Sequence, residues 1–272
     1  MPSLGDVTAL LEEWFPPDHA EDWDAVGLVC GDPAVEVRRI HLAVDPVGAV
    51  VREALEAGAQ LLVTHHPLLL KGVHGVPTTD PKGRLVHELV RGGCALLAAH
   101  TNADSPVGGV SESMALALGL LDVRPLEADG DDPDRGSGRV GRLPEPTTLR
   151  DFAEHVGRTL PRTAHGVRVA GDPDAVVETI GLCGGAGDFL LARARHLGVD
   201  AYLTSDLRHH PVSELREHAL LGAGAPAVLD VAHWAAESTW LPVLRRRLQD
   251  AWGDTVEVHV STIVTDPWTF RV

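Results

Sequence analysis

Residues 40–66 read IHLAVDPVGAVVREALEAGAQLLVTHH, and residues 180–206 read IGLCGGAGDFLLARARHLGVDAYLTSD. In the first, IHLAVD has the apolar, β-branched character of a strand. VGAVVREALEAGA follows as a helix stopped near Gly58, and QLLVT returns as a second strand. At a constant offset of 140 residues, Ile40, Gly58 and Thr64 correspond to Ile180, Gly198 and Thr204. The chain is therefore expected to hold two α/β units of similar build, each with a polar cluster where its second strand ends, THHP in one and TSDLRHH in the other. Ligands of α/β sheets bind at such carboxyl ends of strands.

Outward from these stretches, residues 8–14 and 82–92 have helical patterning, CALLAAH is a strand that ends at HTNAD, and SESMALALGL is a further helix. Residues 127–146, EADGDDPDRGSGRVGRLPEP, are rich in acid, Gly and Pro and are expected to form a linker or long surface loop. Its GSGRVG matches the dinucleotide-binding pattern literally, but no strand precedes it and no helix follows, so a loop is expected there. Beyond it, TLRDFAEHVGRTL is helical, with strands near HGVRVAG and ETIGLCG. The expected division is residues 1–126 with 226–272 as one α/β lobe and 127–225 as the second.

The 272 residues include 23 basic and 39 acidic side chains, a formal charge of −16, which repels nucleic acid and anionic membrane surfaces. Cys30, Cys94 and Cys183 are odd in number and contain no CxxC pair, so neither a disulfide framework nor a cysteine zinc site is indicated, and a reducing cytosol fits. No run reaches the ~18 apolar residues of a membrane span. A cytoplasmic protein without nucleic-acid or membrane partners is expected.

The fifteen histidines are where the chemistry is to be sought. His65 and His66 end an apolar run, and Pro67 holds its predecessor extended. Successive strand residues point to opposite faces, so the two rings are poorly placed to chelate one ion and well placed to reach two ions about 3.5–4 Å apart. Two hydrogen-bonded histidines in a surface loop are the alternative. AHTNADSPVGGV again follows an apolar strand, and it offers Asp104 as a hard oxygen ligand and His100 as a ligand-orienting or proton-carrying group. LDVAHWAAESTW places His233 and Glu237 at i and i+4 on one helix face, where the pair can grip one metal or the glutamate can bridge two. A surface ion pair would equally explain that spacing taken alone.

Together WDAVGL, THHPLLL, HTNAD, GGVSESMALALGL, GRVGRL, LCGGAGDFLLARARHLGVDAYLTSDLRHH, DVAHWAAES and VSTIVTDPW resemble, in order and spacing, the NGG-interacting-factor-three family. Some of its members carry the label GTP cyclohydrolase I type 2 homologue. The resemblance covers nearly the whole chain. It implies two interlaced α/β lobes with mixed sheets, the second inserted before the C-terminal segment of the first, and hexameric rings. It also implies two divalent ions per subunit, zinc, iron or manganese, with His65 and His66 on different ions, one ligand each from Asp104 and His233, and Glu237 as the bridge. The sequence departs from the family's usual pattern at Ala25, Ala232, Trp234 and Pro211, all beside the expected ligands.

The implied activity is a metal-dependent hydrolase that opens the imidazole ring of a purine nucleoside triphosphate. His100, Asp206 and His210 are then candidate proton carriers, and GGAGD, residues 184–188, is a candidate phosphate loop or a tight strand-to-helix turn. The alternative is a non-catalytic protein that binds or delivers metal or acts as a scaffold. No GDxxD or GNHE signature supports a two-metal phosphoesterase.

Overall fold

The computed structural model describes residues 1–130, 132–222 and 224–272. In chain order its elements begin with α1 (Leu4–Trp14), β1 (Gly27–Cys30), β2 (Arg39–Ala43), α2 (Gly48–Glu56), β3 (Leu61–Thr64), α3 (Pro81–Gly92) and β4 (Ala95–Ala98). There follow α4 (Thr101–Asp104), α5 (Val110–Ala117), β5 (Leu121–Asp129), β6 (Asp132–Thr148), α6 (Leu149–Thr159), β7 (Arg168–Ala170) and β8 (Val176–Ala186). The chain closes with α7 (Leu191–Leu197), β9 (Ala201–Ser205), α8 (His209–Leu220), β10 (Ala227–Val231), α9 (His233–Glu237), α10 (Leu241–Trp252) and β11 (Glu257–Val260). Two compact units result, Met1–Ala103 with Leu241–Thr265 and Asp104–Trp240 with Asp266–Val272, so the second interrupts the first in sequence.

The first unit is built on a five-stranded sheet in the order β1-β4-β3-β2-β11, parallel except for the antiparallel edge strand β1. Strand β3 is buried along its whole length, as a parallel strand covered on both faces must be, and its residues are accordingly apolar up to Thr64. Leu62 packs there with Val50, Val51, Leu89 and Leu96. Each such fully buried aliphatic side chain contributes about 1.5–3 kcal/mol over exposure. Helix α1 enters through a capping box in which the Ser3 hydroxyl accepts from the Asp6 amide and the Asp6 carboxylate accepts from the Ser3 amide.

The second unit is a six-stranded mixed sheet in the order β5-β6-β8-β9-β10-β7, with β8, β9 and β10 parallel. The internal repeat is realised down to single hydrogen bonds. Ile40 lies opposite Leu61 in one sheet and Ile180 opposite Ala201 in the other, the same register displaced by 140 positions. Gly58 and Gly198 follow α2 and α7 at φ of +67° and +69°, the left-handed conformation that a side chain would strain. The Gln60 side chain accepts from the amides of Arg38 and Arg39 at 3.0 Å each, and the Asp200 carboxylate accepts from those of Glu178 and Thr179 at 3.0 and 2.8 Å.

Two expectations need correction. Of residues 127–146, expected as a linker or loop, all but residue 131, which lies outside the described residues, belong to β5, β6 or the turn between them. Val140 and Leu143 are buried within β6, which is paired on both edges, and this pairing overrides the low strand propensity of its Gly, Pro and Asp residues. GSGRVG is therefore strand, not the opening of a helix. The division between units also differs from the expected one. Strand β5 pairs with β6, and β10 pairs with β7 and β9, which draws residues 104–126 and 226–240 into the second unit.

Among the described residues no helix is long and apolar enough to cross a membrane.

Candidate metal centre

In the first unit the carboxyl end of β3 continues into His65 and His66, whose amides still bond to the carbonyls of Ala43 and Val44 beside the end of β2. The Thr64 hydroxyl donates to the His66 carbonyl and fixes the turn. His65 is fully buried, and its Nδ1 lies 2.9 Å from the Ala99 carbonyl oxygen. A carbonyl only accepts, so Nδ1 carries the proton and Nε2 the lone pair. The same logic fixes His66, whose Nδ1 donates to Asp45 at 2.6 Å, and His100, whose Nδ1 donates to Asp24 at 2.8 Å. The three rings lie 5.1–5.4 Å apart by centroid, and each offers a ligand atom within 4.8 Å of the others.

The partners of these rings are themselves held. Asp45 also accepts from the Thr265 hydroxyl. The side chain of Asp24 is fully buried and accepts from the Ala25 and Thr101 amides and the Thr101 hydroxyl as well as from His100. Burial opposes its charge, but the hydrogen bonds from His100, Thr101 and Ala25 outweigh burial and hold the carboxyl well below the usual carboxylate range.

In the second unit β10 feeds α9, which starts at His233. His233 Nδ1 donates to Asp206 at 2.7 Å, and Nε2 lies 2.7 Å from Glu237 Oε1, one helical turn on and buried. Burial disfavours a charged imidazole, yet Glu237 and Asp206 together overcome it and push His233 up to about 11. Asp206 in turn is lowered, chiefly by the hydrogen bond from His233 and against its partial burial. Asp206 adopts φ +56°, a left-handed backbone conformation that asparagine and aspartate tolerate better than other side chains.

Gly185, at the end of β8, backs this pair. Its φ is +72°, and a Cβ there would fall 2.6 Å from Glu237 Oε1 and 3.4 Å from His233 Nε2. The Thr204 hydroxyl, the counterpart of Thr64, donates to the Gly185 carbonyl at 2.9 Å. Within GGAGD, Gly185 is therefore the backrest for the His233–Glu237 pair, and Asp188 binds Arg208. Asp104, at the end of α4, is half-buried. Its charge and that of Glu237, added to the larger effect of burial, push the Cys183 thiol up to about 12.

Arg139 was not singled out in the sequence. It is 1% exposed, and it donates to the carbonyls of Ser105 and Pro106, immediately after Asp104, and to those of Gly136 and Gly138, all at 2.8–3.0 Å. The β5–β6 hairpin thus braces the segment that carries Asp104. Asp24 and Asp45 were also missed. The only signals were their positions, one in WDAVGL and one at the end of a strand parallel to that of His65 and His66. His210 is exposed on the first turn of α8 with its ring against His209.

The donor set fits a first-row divalent metal. In the first unit a carbonyl or a carboxylate takes the Nδ1 proton of His65, His66 and His100 and leaves Nε2 as the ligand atom, the arrangement of metal-bound histidine, and in the second unit His233 stands beside the carboxylate of Glu237. The chain is 50% identical to a GTP cyclohydrolase 1 type 2 homolog of Streptomyces coelicolor, over all of this chain and 95% of that protein. It is 36% identical to one of Mycobacterium bovis, covering 97% of this chain and 96% of that protein. A crystal structure of a Staphylococcus aureus hypothetical protein superposes over the whole of both chains with a TM-score of 0.90 at 26% identity. Residues 2–267 match the Duf34/NIF3 (NGG1p interacting factor 3) family model, and the chain belongs to that family.

Proposed function

We propose that the protein is a two-metal hydrolase that opens the imidazole ring of a purine nucleoside triphosphate with release of formate. In this reading His65 and His66 bind different ions, Asp104 and His233 add one ligand each, and Glu237 bridges. Zinc, iron and manganese all suit such nitrogen and oxygen donors. The observation that carries the reading is the common orientation of His65, His66, His100 and His233, each of which donates its Nδ1 proton to an acceptor. The names of the curated relatives supply the substrate class.

Two bound divalent ions would supply Lewis-acid activation of water at neutral pH and would offset negative charge in the transition state. His100 is the assigned proton carrier, because it accepts at Nε2 while Asp24, held ionised, stabilises the resulting imidazolium. Asp206 remains ionised and positions His233. His210 is the third candidate, tested by His210→Gln. The hexameric ring and the cytosolic setting belong to the same reading. They predict six times the 28.9 kDa chain mass in solution and retention of the free thiols of Cys30, Cys94 and Cys183.

The test is elemental analysis of protein purified without added metal, followed by measurement of formate released from GTP by wild type and by Glu237→Gln. Two ions per chain, with formate release that Glu237→Gln abolishes, is the expected result. Bound metal without turnover of any nucleotide would instead assign the protein to metal binding, delivery or scaffolding. Absence of transition metal would end both.

A further inference from the structure

Trp23 stands beside the histidine cluster of the first unit with 58% of its surface exposed. Its ring meets that of His100 edge to face, with centroids 5.9 Å apart and planes at 78°. The segment that presents it is tied down on both sides. The Asp24 amide donates to the Glu21 carbonyl at 2.9 Å, and the Glu21 amide donates to the Thr101 hydroxyl at 3.0 Å. Asp24, next in the chain, is the buried carboxylate that holds His100. The backbone that carries the indole is thus set in place beside the same residue that sets His100.

We propose that Trp23 is the stacking face for a planar heteroaromatic ring of the ligand, a role that rests on the ring-bearing substrate of the proposed function. An exposed aromatic on an anchored backbone, with only two χ angles to order, offers its face to such a ring at low entropic cost. The flanking Glu21 and Asp22 are both exposed and acidic. They repel phosphate, so the part of the ligand at this position is the ring and not its phosphates. The same acids disfavour an anionic lipid surface as the occupant.

The test is calorimetric titration of the metal-bearing protein with GTP, guanosine, adenosine, nicotinamide mononucleotide, flavin mononucleotide and inorganic tripolyphosphate, for wild type, Trp23→Ala and Trp23→Phe. Metal content is measured in parallel. Trp23→Ala is expected to weaken binding of GTP and guanosine roughly tenfold or more, in line with base–aromatic stacking. Trp23→Phe should retain most of the affinity, and tripolyphosphate binding and metal content should not move. If purines fail to bind wild type but another flat ring binds and needs Trp23, the stacking role stands and the purine reading falls. Guanosine bound equally by wild type and Trp23→Ala overturns the stacking role and leaves the purine reading intact. A change in oligomeric state without a change in ring binding, or no ring bound by wild type at all, also overturns it.

Discussion

Asp45 accepts the Nδ1 proton of His66 at 2.6 Å while its second oxygen takes the Thr265 hydroxyl, so a carboxylate just past β2 orients a ring just past β3. Asp45→Ala should leave the fold intact and lower metal affinity about 10- to 100-fold, the usual consequence of losing such an outer partner. Competition against a chromophoric chelator measures it. Wild-type affinity in the variant would remove Asp45 from this role.

Gly185 and Gly198 share nearly the same left-handed backbone, but a Cβ at Gly185 would strike Glu237, whereas one at Gly198 would meet nothing within 4 Å. Gly198→Ala should therefore cost only the conformational term, about 1–2 kcal/mol, with metal content unchanged. Gly185→Ala should incur that cost and also displace Glu237, reducing bound metal. Equal metal content in both variants would show that the backrest is dispensable.

Arg139→Met would strip the buried donors from four backbone carbonyls. Urea denaturation should register a loss of about 3–5 kcal/mol, the range for an interior charged group removed from its partners. Arg139→Lys should fall between, since an ammonium cannot match the planar fork. A loss below about 1 kcal/mol would mean that the segment after Asp104 is held by other means.

The imidazolium of His233 predicts a direction for pH. Its value is raised from 6.5 to about 11, so its contribution to the stability of the metal-free protein is full below 6.5 and is lost as pH rises through about 11. Metal binding at Nε2 displaces that proton, so apparent metal affinity should rise by about one logarithmic unit per pH unit from this group alone. Chelator competition between about pH 6.5 and 8.5 reads the slope. Glu237→Gln removes the largest stabiliser of the imidazolium and should flatten it. A slope of zero in wild type would exclude His233 as a ligand.

Much of the fold was legible because the repeat places identical residue types at positions where geometry leaves little choice. Gly58 and Gly198 end helices in a left-handed turn, and Ile40 and Ile180 are fully buried. The 127–146 hairpin was not legible, because its strand character comes from pairing on both edges and not from its own composition. Of the candidate site, the sequence disclosed the strand ends that carry His65, His66, His100 and His233. It did not disclose Asp24, which reaches His100 from 76 positions away, or Arg139, whose partners, Glu112 apart, are backbone carbonyls that no residue type announces.

The matched registers of the two sheets carry one more consequence. Position 66 in one unit and position 206 in the other are counterparts at the 140-residue offset, yet one is an imidazole and the other a carboxylate that steadies the imidazole of His233. Equivalent strand ends of the two βαβ units thus carry opposite chemistry, an imidazole that donates to a carboxylate in one and a carboxylate that accepts from an imidazole in the other.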